Sequence, residues 1–163
     1  MTKATPLVTL ALCAGLAFSV GALAAGNDAK GTLTYKTRTA AIKYAYLVQG
    51  PDAVSKQTIR RLIFSATDLG AKIAACKTMS CTNSALTEGM SVNLESGPRV
   101  NYWVSLNDQM VQYSGTEPVA SLATKTDDAK RLAGALRFDK TGAGGPKVDL
   151  EFDAAMVKEV TAP

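Results

Sequence analysis

Two segments near the end of the chain, RLAGALRFD at residues 131–139 and VDLEFDAAM at residues 148–156, decide the fold. Apolar residues recur at alternate positions in both segments, which is the period of a β-strand with one buried face. The positions between them include Arg131 and Arg137 in the first segment, and Asp149, Glu151 and Asp153 in the second. Opposite charges stabilise an antiparallel pair when they face each other on its solvated side. The pattern therefore predicts an antiparallel hairpin, closed by a flexible loop of three glycines and a proline at residues 140–147.

Alternating segments of the same kind continue upstream, separated by turn residues such as the Gly-Pro-Asp at 50–52. Only residues 68–76, DLGAKIAAC, have helical spacing, with Thr67 or Asp68 as the N-cap. No strand–helix–strand rhythm appears. We therefore expect a mainly β fold, an antiparallel β-sandwich or barrel of eight to nine short strands with one short helix. The upstream strands are predicted at residues 30–36, 40–48, 58–66, 90–94, 99–106, 109–114 and 119–124.

The first 24 residues have the pattern of a secretory signal peptide. Lys3 supplies a positive charge, residues 7–23 form an uncharged apolar run, and Ala22-Leu23-Ala24 matches a small-residue cleavage site. The apolar run is slightly short for a membrane span and is interrupted by small residues. We expect cleavage of residues 1–24, with the loss of Cys13, and a single β-rich domain at residues 25–163. The expected location is periplasmic or secreted, with no stable membrane anchor after cleavage.

The composition of the chain argues against several kinds of chemistry. There is no histidine, which excludes Ser-His and Cys-His catalysis, imidazole bases and most catalytic zinc sites. The formal net charge of +4 comes from scattered residues, and no stripe of basic and aromatic residues indicates nucleic acid as a partner. We expect no cofactor and no metal.

Residues 76–81, CKTMSC, hold a pair of cysteines with three interpretations. In an oxidising compartment Cys76 and Cys81 would form a structural disulfide that fixes a short loop. A redox role would favour C-x-x-C spacing in a thioredoxin-like context, and a metal site would need about four ligands. Neither context is present, so the spacing favours a structural disulfide between Cys76 and Cys81.

The segment NYWVSL at residues 101–106 is the most aromatic predicted strand. Tyr102 and Trp103 are adjacent and therefore point to opposite faces of a sheet. Trp and Tyr often anchor partners at binding surfaces, and Tyr113 lies on the next predicted strand. These three aromatic residues form a candidate binding surface. The simpler alternative is that Trp103 packs beneath a loop or against another layer.

Arg60 and Arg61 stand inside the apolar segment 58–66. Because successive side chains in a strand point to opposite faces, one of the two is expected to point inward and to need an acidic partner. Such an arginine serves either in a structural ion pair or in binding a ligand carboxylate. Both arginines are therefore included in the candidate binding surface.

The acidic row Asp149, Glu151 and Asp153 has two interpretations as well. Carboxylates could bind a hard cation such as calcium. No loop of alternating acidic ligands accompanies the row, and Arg131 and Arg137 are placed to neutralise it. The prediction is a solvated, salt-bridged face.

Five segments resemble those of small exported bacterial proteins with a β-rich domain, an uncharacterised family. They are GTLTYK (31–36), AYLV (45–48), RRLIFSATDL (60–69), LAGALRFD (132–139) and FDAAMVK (152–158). The resemblance extends over most of residues 25–163 and lies in hydrophobic patterning. It implies export and a β-rich domain, and it assigns no functional residues.

Taken together, these observations predict an exported, non-catalytic binding or accessory domain of the bacterial cell envelope, whose partner is an unknown envelope protein or a small ligand. Two alternatives come from other classes. One is a histidine-free hydrolase or lyase that uses Ser and Lys or acidic residues. The other is a thiol-disulfide protein that uses Cys76 and Cys81.

Overall fold

The computed structural model describes residue 1 and residues 26–95, 97–107 and 111–163. The predicted signal peptide, apart from Met1, lies outside the described residues, as does its Cys13. Part of the predicted strand at 109–114 lies outside them too.

The described chain forms one curled, half-barrel sheet of nine strands with two short helices on it. The strand order is β6-β5-β4-β3-β2-β1-β9-β8-β7, and each pair of neighbours in this order is antiparallel. The mainly β, antiparallel class predicted from the sequence is therefore confirmed. The strands are β1 (Asn27–Tyr35), β2 (Arg38–Pro51), β3 (Thr58–Ser65), β4 (Gly89–Asn93), β5 (Arg99–Ser105), β6 (Tyr113–Pro118), β7 (Leu122–Asp127), β8 (Arg131–Asp139) and β9 (Lys147–Glu159). The helices are α1 (Gly70–Ala75) and α2 (Met79–Ser84), and single 3-10 turns occupy Val119–Ser121 and Thr141–Ala143.

Strands β8 and β9 form the hairpin that the alternating charges predict. Arg137 lies opposite Asp149 in the strand register. Its guanidinium is 2.8 Å from Asp149 and 2.9 Å from Glu151. Arg131 donates from Nε to Asp153 Oδ1 at 2.7 Å. The acidic row is thus paired with the neighbouring strand, as the cross-strand pattern indicated.

The sheet curls so far that its two edge strands are joined by one short turn. β6 ends at Pro118 and β7 begins at Leu122, and only the 3-10 turn Val119–Ser121 lies between them. Apolar side chains on the inner face pack against each other across the curl and form the main core. Phe64 of β3 and Phe152 of β9, for example, meet edge to face with ring centroids 5.2 Å apart. Within the described residues, the inner face is therefore buried by the curling of the sheet on itself.

The first strand lies in the middle of the sheet, between β2 and β9. Asn27 pairs with Ala154 of β9 at the start of β1. Beyond that point β2 and β9 pair directly with each other, in parallel. Gly31 lies at a β-bulge in this strand with φ +138, and a Cβ atom there would be 2.0 Å from the carbonyl oxygen of Asp149. Only glycine fits this position, because the backbone of β9 approaches so closely.

The outer face is covered at one end by α1 and α2, which close a second, smaller core. The sequence predicted one helix over residues 68–76, and the second helix was missed. α1 begins after Leu69, where Asp68 Oδ1 accepts from the backbone N–H of Gly70 at 2.8 Å. α2 begins after Thr78, whose hydroxyl accepts from the backbone N–H of Cys81 at 3.0 Å. Buried residues of this core are Tyr46, Val48, Ile59, Ile63, Leu69, Ile73, Met79, Leu86 and Val160.

Within the described part of the chain, no helix has the length and apolar character needed to cross a membrane.

Candidate binding groove

A groove of about 560 Å³ lies on the outer face of β3, β4 and β5, beside the part that the helices cover. The loop between β2 and β3 forms one wall, and the loop between β4 and β5 forms another. Small-molecule sites commonly have volumes of roughly 300–1,000 Å³. The side chains that give the groove its chemistry are Asp52, Gln57, Ile59, Asn93, Asn101 and Trp103.

Trp103 lies half-buried in this groove, on the outer face of β5. Its neighbours in the register are Ser91 of β4 and Ser114 of β6. Serine side chains are too small to cover an indole ring from adjacent strands. The structure therefore places Trp103 in a groove whose wall is the loop between β2 and β3, and the sequence alternative that this residue packs beneath a loop stays open.

Asn93 of β4 and Asn101 of β5 lie directly opposite each other on the floor of the groove. Asparagine is depleted in β-strands, because its short amide competes for backbone hydrogen bonds. Asn93 and Asn101, one in each of two neighbouring predicted strands, are therefore a sequence signal for a polar site. The sequence analysis missed it, since it followed only the apolar and charged positions.

Arg61 is the buried member of the arginine pair, with 7% of its surface exposed. Its Nε donates to Asn93 Oδ1 at 2.6 Å, and its Nη1 donates to the carbonyl oxygen of Met79 at 2.8 Å. Among the described residues no carboxylate lies within 4.0 Å of the Arg61 guanidinium. The prediction that the buried arginine has an acidic partner is therefore wrong. Burial lowers the pKa of Arg61, and the charge of Asp52 opposes this shift. The guanidinium is held by neutral acceptors.

The bond from Arg61 also fixes the orientation of the Asn93 amide. An arginine N–H can only donate, so the amide atom that it meets must be the oxygen. The NH₂ group of Asn93 is then left on the groove side, although the residue is only 3% exposed. This NH₂ group has no hydrogen-bond partner in the described part of the protein. A buried arginine thus turns an amide donor towards the groove.

Asp52 supplies the acidic side of the groove. Its Oδ2 accepts from the backbone N–H groups of Val54 and Ser55, at 3.0 and 2.8 Å, and from the Ser55 hydroxyl at 3.1 Å. The pKa of Asp52 is lowered, mainly by the hydrogen bond from the Ser55 backbone. No bond to Oδ1 is formed by the residues that the structure describes, which leaves one carboxylate oxygen to accept from a ligand.

Arg60 points to the inner side of the sheet and holds the opening of the half-barrel together. Its Nε pairs with Glu95, and its backbone N–H donates to Glu95 Oε2 at 2.9 Å. Its Nη1 donates to Asp127 Oδ1 of β7 at 2.6 Å. The acidic partners that the sequence predicted therefore belong to Arg60. Because Glu95 is neutralised in this way, Asp52 is the groove's unpaired carboxylate among the described lining residues.

Tyr102 does not belong to the candidate binding surface. It is 1% exposed, and its ring packs in the main core with its centroid 5.0 Å from that of Phe138. The physical reason is the alternation of the strand, which turns Tyr102 inward when Trp103 faces out. Burial raises the pKa of the Tyr102 hydroxyl. Tyr113 is half-buried and packs against Tyr35, with centroids 5.3 Å apart, so it lies away from the groove as well.

Glu117 is a buried carboxylate outside the candidate binding surface. It lies on the inner face of β6 with 2% exposure. Lys140 Nζ from the loop between β8 and β9 lies 3.1 Å from Glu117 Oε1, a distance for an ion pair without hydrogen-bond geometry. The pair connects an edge strand to the hairpin and is separate from the groove.

Cys76 and Cys81 form the predicted disulfide, with Cα atoms 5.5 Å apart. The bridge joins the C-cap of α1 to the first turns of α2. Met79 and Thr82 in α2 both accept from Arg61, at 2.8 and 3.5 Å. The disulfide therefore constrains α2, whose residues accept hydrogen bonds from Arg61. Because Arg61 also holds Asn93, the constraint extends to the floor of the groove.

No protein-family model, curated protein or solved structure matches the chain. Within the described residues no group of three or more Cys, Asp or Glu side chains is arranged to hold a metal ion.

Proposed function

We propose that this protein is an exported, non-catalytic binding domain of the bacterial cell envelope and that it holds a partner or small ligand in the groove around Trp103. The observation that carries the proposal is the half-buried Trp103 beside an opposed pair of asparagines, in a groove of about 560 Å³. Aromatic residues with a few fixed polar groups are the usual composition of ligand sites.

Two further observations support the compartment. The pattern of residues 1–24 is that of a signal peptide. The Cys76–Cys81 disulfide suits an oxidising compartment.

The groups with raised pKa values have structural partners, which favours binding over catalysis. Tyr46 donates from its hydroxyl to Asp68 at 2.7 Å and accepts from the backbone N–H of Leu69 at 2.8 Å. Burial and the Asp68 bond raise the pKa of this hydroxyl. An acid–base catalyst would instead be expected to point its titrating atom into a cleft.

The chain offers a direct test because Trp103 is its only tryptophan. The protein is expressed with its own N-terminal segment and labelled with 5-fluorotryptophan, so its fluorine spectrum reports on the groove alone. Fractions of envelope extract are then added. We expect at least one fraction to shift the Trp103 resonance in a saturable way.

A matched reporter controls for non-specific association. The double variant Trp103→Phe, Tyr44→Trp moves the single tryptophan to another half-buried position on the sheet, outside the groove lining. The same fraction should leave that resonance unchanged. Equal shifts at both positions, or no shift with any fraction, would contradict the proposed function.

A further inference from the structure

We infer that the ligand of the groove is a neutral glycan. The inference rests on the proposed function, because it names the ligand class of the same site. It follows from three properties of the groove: a flat aromatic surface, a mixture of hydrogen-bond donors and acceptors, and the absence of an available cation among its described lining residues.

The aromatic surface is the indole of Trp103, which is half-buried and lines the groove. The face of an aromatic ring carries negative charge and the C–H bonds of a sugar ring carry partial positive charge, so the two stack favourably. Trp103 lies two residues from Asn101 on the same face of β5. A ring stacked on the indole therefore lies beside the asparagine pair.

The polar groups of the groove offer donors and acceptors side by side. Asn93 presents its NH₂ group, because Arg61 occupies its oxygen. Asn101 presents both the NH₂ group and the oxygen of its amide, since no residue in the described chain bonds to them. Asp52 presents Oδ1 as an acceptor. Each hydroxyl of a sugar both donates and accepts, so neighbouring hydroxyls match this arrangement.

The charges of the groove argue against anionic ligands. No lysine or arginine is among its described lining residues. The two nearby guanidinium groups are already engaged, Arg61 with Asn93 and Met79, and Arg60 with Glu95 and Asp127. A phosphate or carboxylate would lie beside Asp52 and would find no lysine or arginine donor among the described lining residues, which costs free energy.

The position of the groove also favours a glycan over an extended peptide. Peptides commonly add a strand to an open sheet edge, where backbone groups are unpaired. Here β3, β4 and β5 are paired on both sides, so the floor offers side chains only. Specificity must then come from side-chain amides and the carboxylate, which distinguish hydroxyl groups well.

The inference is tested with a panel of neutral oligosaccharides: cellotetraose, chitotetraose, maltotetraose and mannotetraose. Trp103 fluorescence detects binding, and calorimetry measures affinity in the variants. We expect saturable binding of at least one oligosaccharide. Asn93→Ala and Asn101→Ala should each weaken it at least tenfold, because a buried hydroxyl partner is lost. Gln49→Ala, which removes a half-buried amide outside the groove lining, should leave the affinity unchanged.

Tetra-alanine and inorganic phosphate serve as competing probes. If no oligosaccharide binds but tetra-alanine, phosphate or an extract fraction shifts Trp103, the glycan inference is wrong and the proposed function stands. If none of these probes changes Trp103, both fail. Binding of an oligosaccharide that is unaffected by the two asparagine variants would place the glycan elsewhere and overturn the inference. Circular dichroism confirms that each variant is folded.

Discussion

On the inner face of the sheet, apolar side chains from every strand pack against one another. On the outer face of β3, β4 and β5, several of the buried positions are polar: Arg61, Ser65, Ser91, Asn93 and Ser105. Burying a polar group costs free energy unless it is hydrogen-bonded, so an arrangement of this kind contributes less to stability than apolar packing does. The difference indicates that the inner face supplies stability, and that the outer face maintains oriented polar groups.

The largest expected effect comes from the inner face. Phe64 is fully buried and its ring contacts Phe152 edge to face. Phe64→Ala should reduce the free energy of unfolding by about 3–5 kcal/mol, because it removes buried area and leaves a cavity. Urea unfolding measures the change. Val54→Ala, at a position that is 89% exposed, is the control and should change stability by less than about 0.5 kcal/mol. Equal losses in the two variants would remove the contrast between buried core and exposed loop.

A smaller effect is expected from Arg61 on the outer face. Arg61→Ala leaves Asn93 Oδ1 without its donor and removes one donor from the Met79 carbonyl. The expected loss is about 2–3 kcal/mol, set by the cost of unsatisfied buried acceptors. Arg61→Met fills more of the space and should cost less than Arg61→Ala.

The side-chain NH₂ signals of Asn93 in an NMR spectrum distinguish an orienting role from simple packing. They should shift or broaden in both Arg61 variants, because the amide is no longer held. Unchanged signals would show that Arg61 does not set the orientation of this amide, even if stability falls.

The Cys76–Cys81 disulfide should have the smallest effect and the most local one. It closes a six-residue loop, for which the chain-entropy relation gives about 2 kcal/mol. The double variant Cys76→Ser, Cys81→Ser should speed hydrogen exchange in α1 and α2 more than in the inner-face strands. If hydrogen exchange became faster by the same factor in all strands as in α1 and α2, the view that the disulfide acts only on the outer face would be contradicted.

Much of the fold could be predicted because alternation is a local signal. The β8–β9 hairpin, with Arg137 opposite Asp149, follows from the period of two and from charge complementarity. The disulfide also followed from short spacing and the expected compartment. Helix α2 did not, since a six-residue helix has little periodicity and begins on a single N-cap at Thr78.

The groove could not be predicted, because it depends on which face of the sheet carries a second layer. The alternation of side chains along a strand predicts that Arg60 and Arg61 point to opposite faces of the sheet. It does not predict which of the two faces is covered by a helix. That choice is made by α2, whose Met79 carbonyl accepts a hydrogen bond from Arg61 across a sequence separation of 18 residues. For the same reason, alternation alone could not show that Tyr102 faces the core while Trp103 lines the groove.

The central place of β1 has a consequence for when the protein can fold. This strand is the first of the sheet along the chain, and its second neighbour, β9, is the last. A chain that is synthesised from its N-terminus therefore keeps β1 paired on one side only until β9 has been made. Contacts between such distant segments form slowly, because the intervening chain must first be ordered. The order of the strands thus delays completion of the sheet until β9 has been delivered.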